Sequence, residues 1–356
     1  MARIGSTKLE VFPLALGGNV FGWTADEKTS FAVLDAYAAA GGNFIDTADV
    51  YSAWAPGNSG GESETIIGRW LSTRRNRERM IVATKVGMHP KLSGLSTATI
   101  RTAAEESLRR LQTDYIDLYY AHQDDENTPL EETLRAFDQL VKEGKVRYIA
   151  ASNYSAARLH EALSISDRSG LVRYVALQQH YNLVERDKYE GELASVVARE
   201  GLVSIPYFAL ASGFLTGKYR PGAKVDSQRA EKAGGYLNDK GIKILAALDE
   251  VGAAHAVSIA SVALAWLAAQ PTVVAPIASA RTPEQLPDLL HVADLRLTKS
   301  ELSRFVGGES IGVDRWGDAA RGRHGVMGAR VRREAQMRFK PGLFPSVPHP
   351  ANVENS

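Results

Sequence analysis

The sequence predicts an α/β fold, a single (β/α)8 barrel of the TIM type. Short apolar runs alternate with amphipathic stretches from about Leu14 to Ser279, and eight of the runs have the length of a strand. Polar residues stand where several of these runs end, and in this fold the carboxyl ends of all strands meet on one face. A chain of 356 residues is long for one domain, but α/β barrels routinely reach this size.

The elements follow one another in a regular order along the chain. The predicted strands are, in sequence, PLALG, NFID, MIVATK, IDLYYAH, VRYIAAS, YVALQ, VSIPYF and TVVAPIA. Helical periodicity predicts helices between them, over Thr29 to Ala40, Glu62 to Leu71, Thr97 to Leu111, Leu130 to Glu143 and Ala156 to Ser166. Before the first barrel strand, the segment ARIGSTKLEVF predicts a β-hairpin that plugs the bottom of the barrel.

Two segments depart from the alternation. Residues Tyr219 to Gly241 are rich in Gly, Lys, Arg and Asp, which predicts a flexible loop on the catalytic face. From Gly307 onward, Gly, Arg and Pro are mixed without helical or strand period. We therefore predict one barrel domain over residues 1–306 and a C-terminal tail over residues 307–356 that is largely irregular or disordered.

Composition excludes several classes of function. The net charge is +1 and 23% of the residues are charged, so the sequence gives no electrostatic case for binding nucleic acid or a membrane surface. The chain has no cysteine, which excludes disulfides, thiol nucleophiles and cysteine-ligated zinc. The N-terminus lacks the apolar core of a signal peptide, and no eighteen apolar residues run together. These observations predict a cytoplasmic protein without membrane insertion.

Common nucleotide and metal motifs are not met. Residues Gly17 to Gly22 miss the G-x-G-x-x-G spacing of a Rossmann fold. Residues Gly213 to Lys218 have one residue too few for a P-loop, and Tyr219 stands where Ser or Thr must hold magnesium. No HExxH pair and no G-x-S-x-G elbow occur. We expect neither a metal nor a nucleophilic serine.

Four polar residues, Asp46, Tyr51, Lys85 and His122, form the main candidate site, and three of them end strand-like runs. Taken singly, each has a structural interpretation: Asp46 as a turn cap with Lys85 as its ion-pair partner, Tyr51 as a loop anchor, and His122 as a satisfied strand-end histidine. On one barrel face, the four together predict a proton-transfer site.

The chemistry of the four side chains suggests distinct roles. A phenol has a pKa of about 10, and the Lys85 ammonium is expected to lower the pKa of Tyr51 and make it a better proton donor. Asp46 would keep Lys85 charged and oriented. His122 would donate a hydrogen bond to a substrate carbonyl oxygen. Such a group protonates an oxygen that is becoming an alkoxide, and a nicotinamide supplies the matching hydride.

Two stretches around these residues resemble the first signature of the aldo-keto reductases, and the resemblance extends over nearly the whole barrel. The stretches are GNFIDTADVY, from Gly42 to Tyr51, and GESETIIG, from Gly61 to Gly68. The resemblance implies that Asp46, Tyr51 and Lys85, with His122, are the family's catalytic tetrad. It also implies an NAD(P)H-dependent enzyme that reduces an aldehyde or ketone to an alcohol.

The resemblance further implies where the cofactor binds. Residues implied to hydrogen-bond the nicotinamide carboxamide are Ser152, Asn153 and Gln178, and Tyr207 is implied to stack on the ring. The loop implied to follow the pyrophosphate contains Phe208, Ala209, Leu210, Ser212, Gly213 and Lys218. The adenosine end is implied to lie at Ser279, Arg281, Gln285 and Asp288.

Asp288 replaces a longer Glu usual in the family, and Leu289 stands where Asn is common. Arg281 and Lys218 place cations where a 2′-phosphate would sit, which favours NADPH (NADP+) over NADH.

The substrate pocket and the biological role are less determined. Trp23 and Trp54 follow the first two strands, and both are interpreted as pocket walls, with shielding of the loop as the alternative for Trp54. Arg229 is interpreted as a surface residue. Sugars, methylglyoxal, pyridoxal and aromatic aldehydes all fit the sequence, and the oligomeric state stays open. The sequence also resembles the cytoplasmic β subunits of potassium channels, which bind nicotinamide nucleotide, so a regulatory subunit is the alternative function.

Overall fold

Eight parallel strands form the central sheet in a computed structural model that describes residues 1–305. The strands are β1 (Ala15–Gly17), β2 (Phe44–Asp46), β3 (Ile81–Val86), β4 (Ile116–Ala121), β5 (Val146–Ser152), β6 (Tyr174–Gln178), β7 (Val203–Ser204) and β8 (Ile277–Ala278). Their order is β7-β6-β5-β4-β3-β2-β1-β8. Three backbone hydrogen bonds close the sheet on itself: Ser204 N to Thr272 O (2.8 Å), Val274 N to Ser204 O (3.0 Å) and Ile277 N to Pro206 O (2.9 Å). The prediction of a (β/α)8 barrel is confirmed.

The last two strands are shorter than predicted. The runs VSIPYF and TVVAPIA each contribute only two residues to the ladder, as β7 and β8. Pro206 interrupts the first run and Pro276 the second, and a proline has no N–H to donate to a neighbouring strand. Strands β2 to β6 match their predicted ranges within one or two residues, because none of them contains a proline.

Helices surround the strands. They are α1 (Glu27–Ala39), α2 (Glu62–Arg74), α3 (Thr97–Leu111), α4 (Leu130–Lys142), α5 (Ala156–Ser169), α6 (Glu192–Arg199), α7 (Ala230–Gly234), α8 (Asp239–His255), α9 (Ile259–Ala268), α10 (Leu286–Leu290) and α11 (Lys299–Arg304). Side chains of Asp26, Ser96 and Ser155 accept hydrogen bonds from the first turns of α1, α3 and α5, which fixes where these helices begin.

A hairpin precedes the barrel, as predicted. Its strands, Ala2–Arg3 and Glu10–Val11, pair antiparallel. Ile4, Leu9 and Val11 are buried in the same cluster as Phe44 and other residues from the amino ends of the barrel strands. The hairpin therefore packs against the end of the barrel opposite to the strand termini that carry the candidate site.

Residues 217–238, called the strap below, connect the 3-10 segment Ala211–Thr216 to helix α8. They overlap the predicted loop Tyr219 to Gly241, but the structure contains helix α7 inside this stretch and begins α8 at Asp239. The predicted tail, residues 307–356, lies outside the described residues, so the domain boundary stays a prediction.

No single helix within residues 1–305 is long and apolar enough to cross a bilayer. Helices α8 and α9 meet that criterion only when taken together, and they are bent by 98° where they join.

Candidate active site

The carboxyl ends of the strands bring the four predicted side chains together. Asp46 is the last residue of β2, Lys85 lies near the end of β3, and His122 follows β4 directly. Tyr51 enters from the loop after β2. A cavity of about 720 Å³ opens at this end of the barrel, and Asp46, Tyr51 and His122 line it. Their catalytic roles stay predictions, while their convergence is a property of the fold.

Lys85 is fully buried and its ammonium is completely hydrogen-bonded. Its Nζ donates to Asp46 Oδ2 (2.7 Å), to the carbonyl oxygen of Thr47 (2.6 Å) and to Tyr51 Oη (2.9 Å). Burial lowers the pKa of Lys85, and the adjacent Asp46 carboxylate opposes that effect. An ammonium with three acceptors and an ion-pair partner can stay charged without water.

The pKa of Tyr51 shifts in the direction opposite to the sequence-based expectation. Burial is the main cause that raises the pKa of Tyr51 well above its usual value, and the Asp46 carboxylate raises it further. Asp46 Oδ2 lies 3.3 Å from the phenol oxygen and accepts its hydrogen bond, so a phenolate there would face a carboxylate. The expectation that the Lys85 ammonium lowers the pKa of Tyr51 was therefore wrong, because burial and the Asp46 carboxylate raise it. At neutral pH the phenol is therefore protonated, as a proton donor must be.

His122 is a neutral imidazole in this environment. Burial, together with the positive charge of Lys85, lowers the pKa of His122 well below its usual value. Its ring lies edge-on to the Tyr51 ring with 6.1 Å between centroids. The backbone N–H of His122 donates to the carbonyl of Val86 (2.9 Å), which ties the residue to the end of β3. A neutral imidazole in this position can donate a hydrogen bond without adding a second positive charge.

The residues predicted to bind a carboxamide lie at the ends of β5 and β6. Ser152 and Gln178 are partners in the parallel ladder. Asn153 Nδ2 donates to the carbonyl of His122 (2.9 Å), and Tyr207 Oη donates to Asn153 Oδ1 (2.8 Å). Gln178 Nε2 donates to Asp46 Oδ1 (2.9 Å). Asn153 and Gln178 are thus hydrogen-bonded directly to residues of the predicted tetrad, and Ser152 is hydrogen-bonded to Asn153.

The loop after β7 has a backbone suited to an anion. Ala211, Ser212 and Gly213 follow one another at φ of +49°, +58° and +96°, and Phe208 lies at +53°. A non-glycine residue at positive φ is strained, and strain of this kind concentrates at ligand sites. Consecutive residues in such turns direct several backbone N–H groups to one side, which forms an anion-binding concavity.

Three cations on the cavity wall lack a carboxylate partner within residues 1–305: Lys218, Arg229 and Arg281. Arg229 lies 5.4 Å from the centroid of the Trp23 ring and is only partly exposed. Burial lowers the pKa of Arg229, and the positive charge of Arg281 lowers it further. The interpretation of Arg229 as a surface residue is therefore wrong, because the strap folds back over the cavity. A phosphate would give these cations the charge partner that they lack.

All fourteen predicted cofactor residues line this one cavity. At the adenosine end, Ser279 Oγ donates to Asn19 Oδ1 (2.7 Å), and the backbone N–H of Arg281 donates to Gln285 Oε1 (2.9 Å). Sequence reasoning missed Asn19, Gln228 and Arg229, which also line the cavity. The donors, the cations and the positive-φ loop fit a nicotinamide dinucleotide chemically.

Aromatic residues form the wall beside Tyr51. The rings of Trp23 and Trp54 meet edge to face at 5.7 Å, and the Trp54 ring lies 6.0 Å from that of Tyr51. Trp54 is 48% exposed and Met88 is 41% exposed, and both line the cavity. Met88 was not identified from the sequence, because it lies in a short hairpin after β3 that has no strand-like pattern. The entrance to Tyr51 is therefore largely apolar.

Metal-ligand clusters are also absent from the described part of the chain: no three His, Asp or Glu side chains of residues 1–305 are grouped so that they could hold an ion.

Comparison with known proteins assigns a family. A sequence profile of the Aldo/keto reductase family matches residues 13–307. The chain is similar to "Uncharacterized oxidoreductase YrpG" of Bacillus subtilis (strain 168), with 36% identity over 84% of this chain and 92% of that protein. It is also similar to "Protein tas" of Escherichia coli (strain K12), with 33% identity over 85% of this chain and 95% of that protein. A third relative is the "Probable voltage-gated potassium channel subunit beta" of Oryza sativa subsp. japonica, with 35% identity over 82% of this chain and 90% of that protein.

Proposed function

Since this chain belongs to the Aldo/keto reductase family, we propose that it is an NADPH-dependent oxidoreductase that reduces an aldehyde or ketone to an alcohol. The observation that carries the proposal is the position of Lys85 Nζ, which is 2.9 Å from the Tyr51 phenol and 2.7 Å from Asp46 at the base of an open cavity. A buried ammonium against a protonated phenol is an arrangement for proton donation.

Each of the four residues has one role in this reaction. Tyr51 Oη gives its proton to the carbonyl oxygen, and the Lys85 ammonium stabilises the phenolate that remains. Asp46 keeps Lys85 charged. The neutral His122 imidazole donates a hydrogen bond to the same carbonyl oxygen and orients it towards Tyr51. A bound NADPH would supply the hydride for the carbonyl carbon.

The cofactor would be held along the whole cavity. Ser152, Asn153 and Gln178 would bind the carboxamide, and Tyr207 would stack on the ring. The positive-φ loop at Ala211 to Gly213 would donate backbone N–H groups to the pyrophosphate. The cations Lys218, Arg229 and Arg281 support a dinucleotide with an additional phosphate, hence NADPH over NADH. With no cysteine in its sequence, the protein suits the reducing cytoplasm.

A spectrophotometric assay tests the proposal. NADPH oxidation at 340 nm would be followed with a panel of small and aromatic aldehydes, in parallel with NADH. We expect Tyr51→Phe to lower kcat by about 10²- to 10⁴-fold, the range for loss of a general acid, while NADPH affinity stays the same. If Tyr51→Phe reduces carbonyls as fast as the parent, Tyr51 is not the acid.

A second candidate function is a regulatory subunit that binds the nicotinamide nucleotide. It is favoured by the 35% identity to the rice protein named as a potassium channel subunit beta. The two candidates differ in assembly and in turnover. A channel subunit would form a stable oligomer with slow carbonyl reduction, whereas mass photometry showing a monomer with rapid turnover would exclude the regulatory role.

A further inference from the structure

One hydrogen bond crosses the barrel from the cofactor side to the ion pair. Gln178 ends β6 and Asp46 ends β2, two strands that lie four places apart in a closed sheet of eight and therefore face each other. Gln178 Nε2 donates to Asp46 Oδ1 at 2.9 Å, and both side chains are buried. The contact joins residues that are 132 positions apart in sequence.

With this bond, both oxygens of the Asp46 carboxylate accept hydrogen bonds. Oδ2 accepts from Lys85 and from Tyr51, while the side chain of Gln178 provides the donor to Oδ1. Without that donor, a buried carboxylate oxygen would lose its hydrogen bond and the carboxyl group could rotate. Rotation would change both contacts of Oδ2, because the two oxygens belong to one rigid group. The amide of Gln178 therefore holds the carboxylate in the orientation that serves Lys85 and Tyr51.

We propose that Gln178 is a positioning residue of the reaction, which orients and partly neutralises Asp46 and so sets how readily Tyr51 gives up its proton. The inference rests on the proposed reductase function. It adds a second role to a residue otherwise assigned to the carboxamide, and it connects the floor of the cofactor site to the tetrad through one amide group.

Several titratable groups surround this bond and bear on any pH measurement. Asp46, Tyr51 and Lys85 contact one another, and His122 faces Tyr51. Tyr120 on β4 is fully buried beside Gln178 and Asp46. The acidic groups near Lys85 beyond Asp46 are Asp49 and Glu64.

Gln178→Leu removes the donor, and Ser152→Ala is the matched control. Ser152 is buried beside Gln178 and shares its proposed contact with the carboxamide, but its side chain makes no hydrogen bond with Asp46. Two quantities would be measured: the pH dependence of kcat at saturating NADPH, and the titration of the Lys85 ammonium by ¹⁵N NMR without nucleotide. Lys85→Arg would assign the resonance. The second measurement does not depend on turnover.

We expect Gln178→Leu to lower kcat about tenfold, the scale for loss of a hydrogen bond to a charged group. With the Asp46–Lys85 ion pair retained, the lost amide N–H no longer offsets the carboxylate charge, so the basic limb of kcat and the Lys85 midpoint should both move to higher pH. A carboxyl group that rotates away from Lys85 would instead move the Lys85 midpoint to lower pH, and either shift shows that Gln178 acts on the ion pair. Ser152→Ala should weaken NADPH binding and leave both midpoints in place. The inference is overturned if Gln178→Leu changes only NADPH affinity.

Gln178→Glu keeps the shape of the side chain and guards against a variant that fails to fold. A protonated Glu can donate to Asp46, whereas an ionised Glu repels it, so kcat should fall as pH rises through a new ionisation. A parent-like pH profile in this variant would contradict the inference. If the parent reduces no carbonyl while the Lys85 midpoint still moves in Gln178→Leu, the reductase function fails and the coupling stands.

Discussion

The tetrad and the strap side of the cavity satisfy their charges in opposite ways. On the tetrad side, the buried Lys85 ammonium meets the Asp46 carboxylate at 2.7 Å, and both are enclosed by hydrogen bonds from the protein. On the strap side, Lys218, Arg229 and Arg281 line the cavity without a carboxylate partner within residues 1–305. On the tetrad side the charges are paired within the protein, whereas the strap side presents to the cavity positive charge that is unpaired within the described residues.

This difference indicates that the tetrad side acquires its charge partners on folding and the strap side on ligand binding. A buried ion pair repays its desolvation only with close geometry and further hydrogen bonds, so the tetrad must form during folding. Cations at the edge of a cavity keep part of their hydration, so the folded protein tolerates them before an anionic ligand binds. Substitutions in the first region should therefore affect folding as well as catalysis, whereas those in the second should affect binding only.

The largest effect is expected for Lys85→Met. It leaves the Asp46 carboxylate buried without its counter-charge, so the free energy of unfolding should fall by about 3–5 kcal/mol. Urea denaturation followed by circular dichroism measures it. Lys218→Met on the strap side is the matched control, and as an exposed lysine without an ion pair it should change stability by less than about 0.5 kcal/mol.

The double variant Asp46→Asn with Lys85→Met sharpens this test. It removes both charges, so most of the lost stability should return. Equal losses for Lys85→Met and Lys218→Met would mean that the two regions do not differ as described.

The next effect concerns His180, which lies below the strap. Its ring stacks on Tyr207 with 5.5 Å between centroids, and Lys188 Nζ lies 3.3 Å from its Nδ1. Burial, followed by the charge of Lys188, lowers the pKa of His180 to about 4. The unfolded chain binds this proton below about pH 6.5 and the folded chain only near pH 4, so stability rises with pH across that window.

His180→Gln should remove this dependence. Between pH 7 and pH 4 the parent should lose up to about 3 kcal/mol more stability than the variant, because one pKa unit corresponds to about 1.4 kcal/mol. The exposed His160, substituted as His160→Gln, is the control. If acid destabilises His180→Gln as much as the parent, then burial of His180 does not contribute to the pH dependence of stability, and His180 resembles the strap side of the cavity more than the tetrad side.

The barrel could be predicted because its buried strands appear in the sequence as short apolar runs. Strands β3 and β4 are buried along their whole length, so the sequence shows mainly apolar runs, and their polar residues Thr84, Lys85 and Asp117 are hydrogen-bonded or ion-paired. The ends of β7 and β8 were predicted too long, because an apolar run does not reveal that Pro206 and Pro276 stop the hydrogen-bonded ladder.

The sequence predicted which residues line the candidate cavity, but it did not predict their pKa shifts. Which residues end strands is a local property, and that property led to Asp46 and His122. The pKa of Tyr51 depends on how deeply the phenol is buried and on which carboxylate oxygen faces it, which are long-range outcomes of packing. The position of Arg229 depends on the path of the strap, and loop composition does not encode that path.

The smallest effects are expected for the three strap-side cations. Lys218→Ala, Arg229→Ala and Arg281→Ala should each weaken NADPH binding about tenfold, or about 1.4 kcal/mol, because each removes one charged contact to a phosphate. Unfolding free energies should stay within about 0.5 kcal/mol of the parent. Calorimetric titration with NADPH and NADH at two salt concentrations measures the dissociation constant of each nucleotide.

The comparison between the two nucleotides separates the phosphates. A residue that binds the 2′-phosphate should lose affinity for NADPH and keep it for NADH, whereas one that binds the pyrophosphate should lose both equally. Arg281 lies at the adenosine end of the cavity, and we expect the selective loss there. Arg229 lies against Trp23, towards the tetrad, and we expect equal losses. Parent-like affinities for both nucleotides in all three variants would show that the positive wall serves another anion.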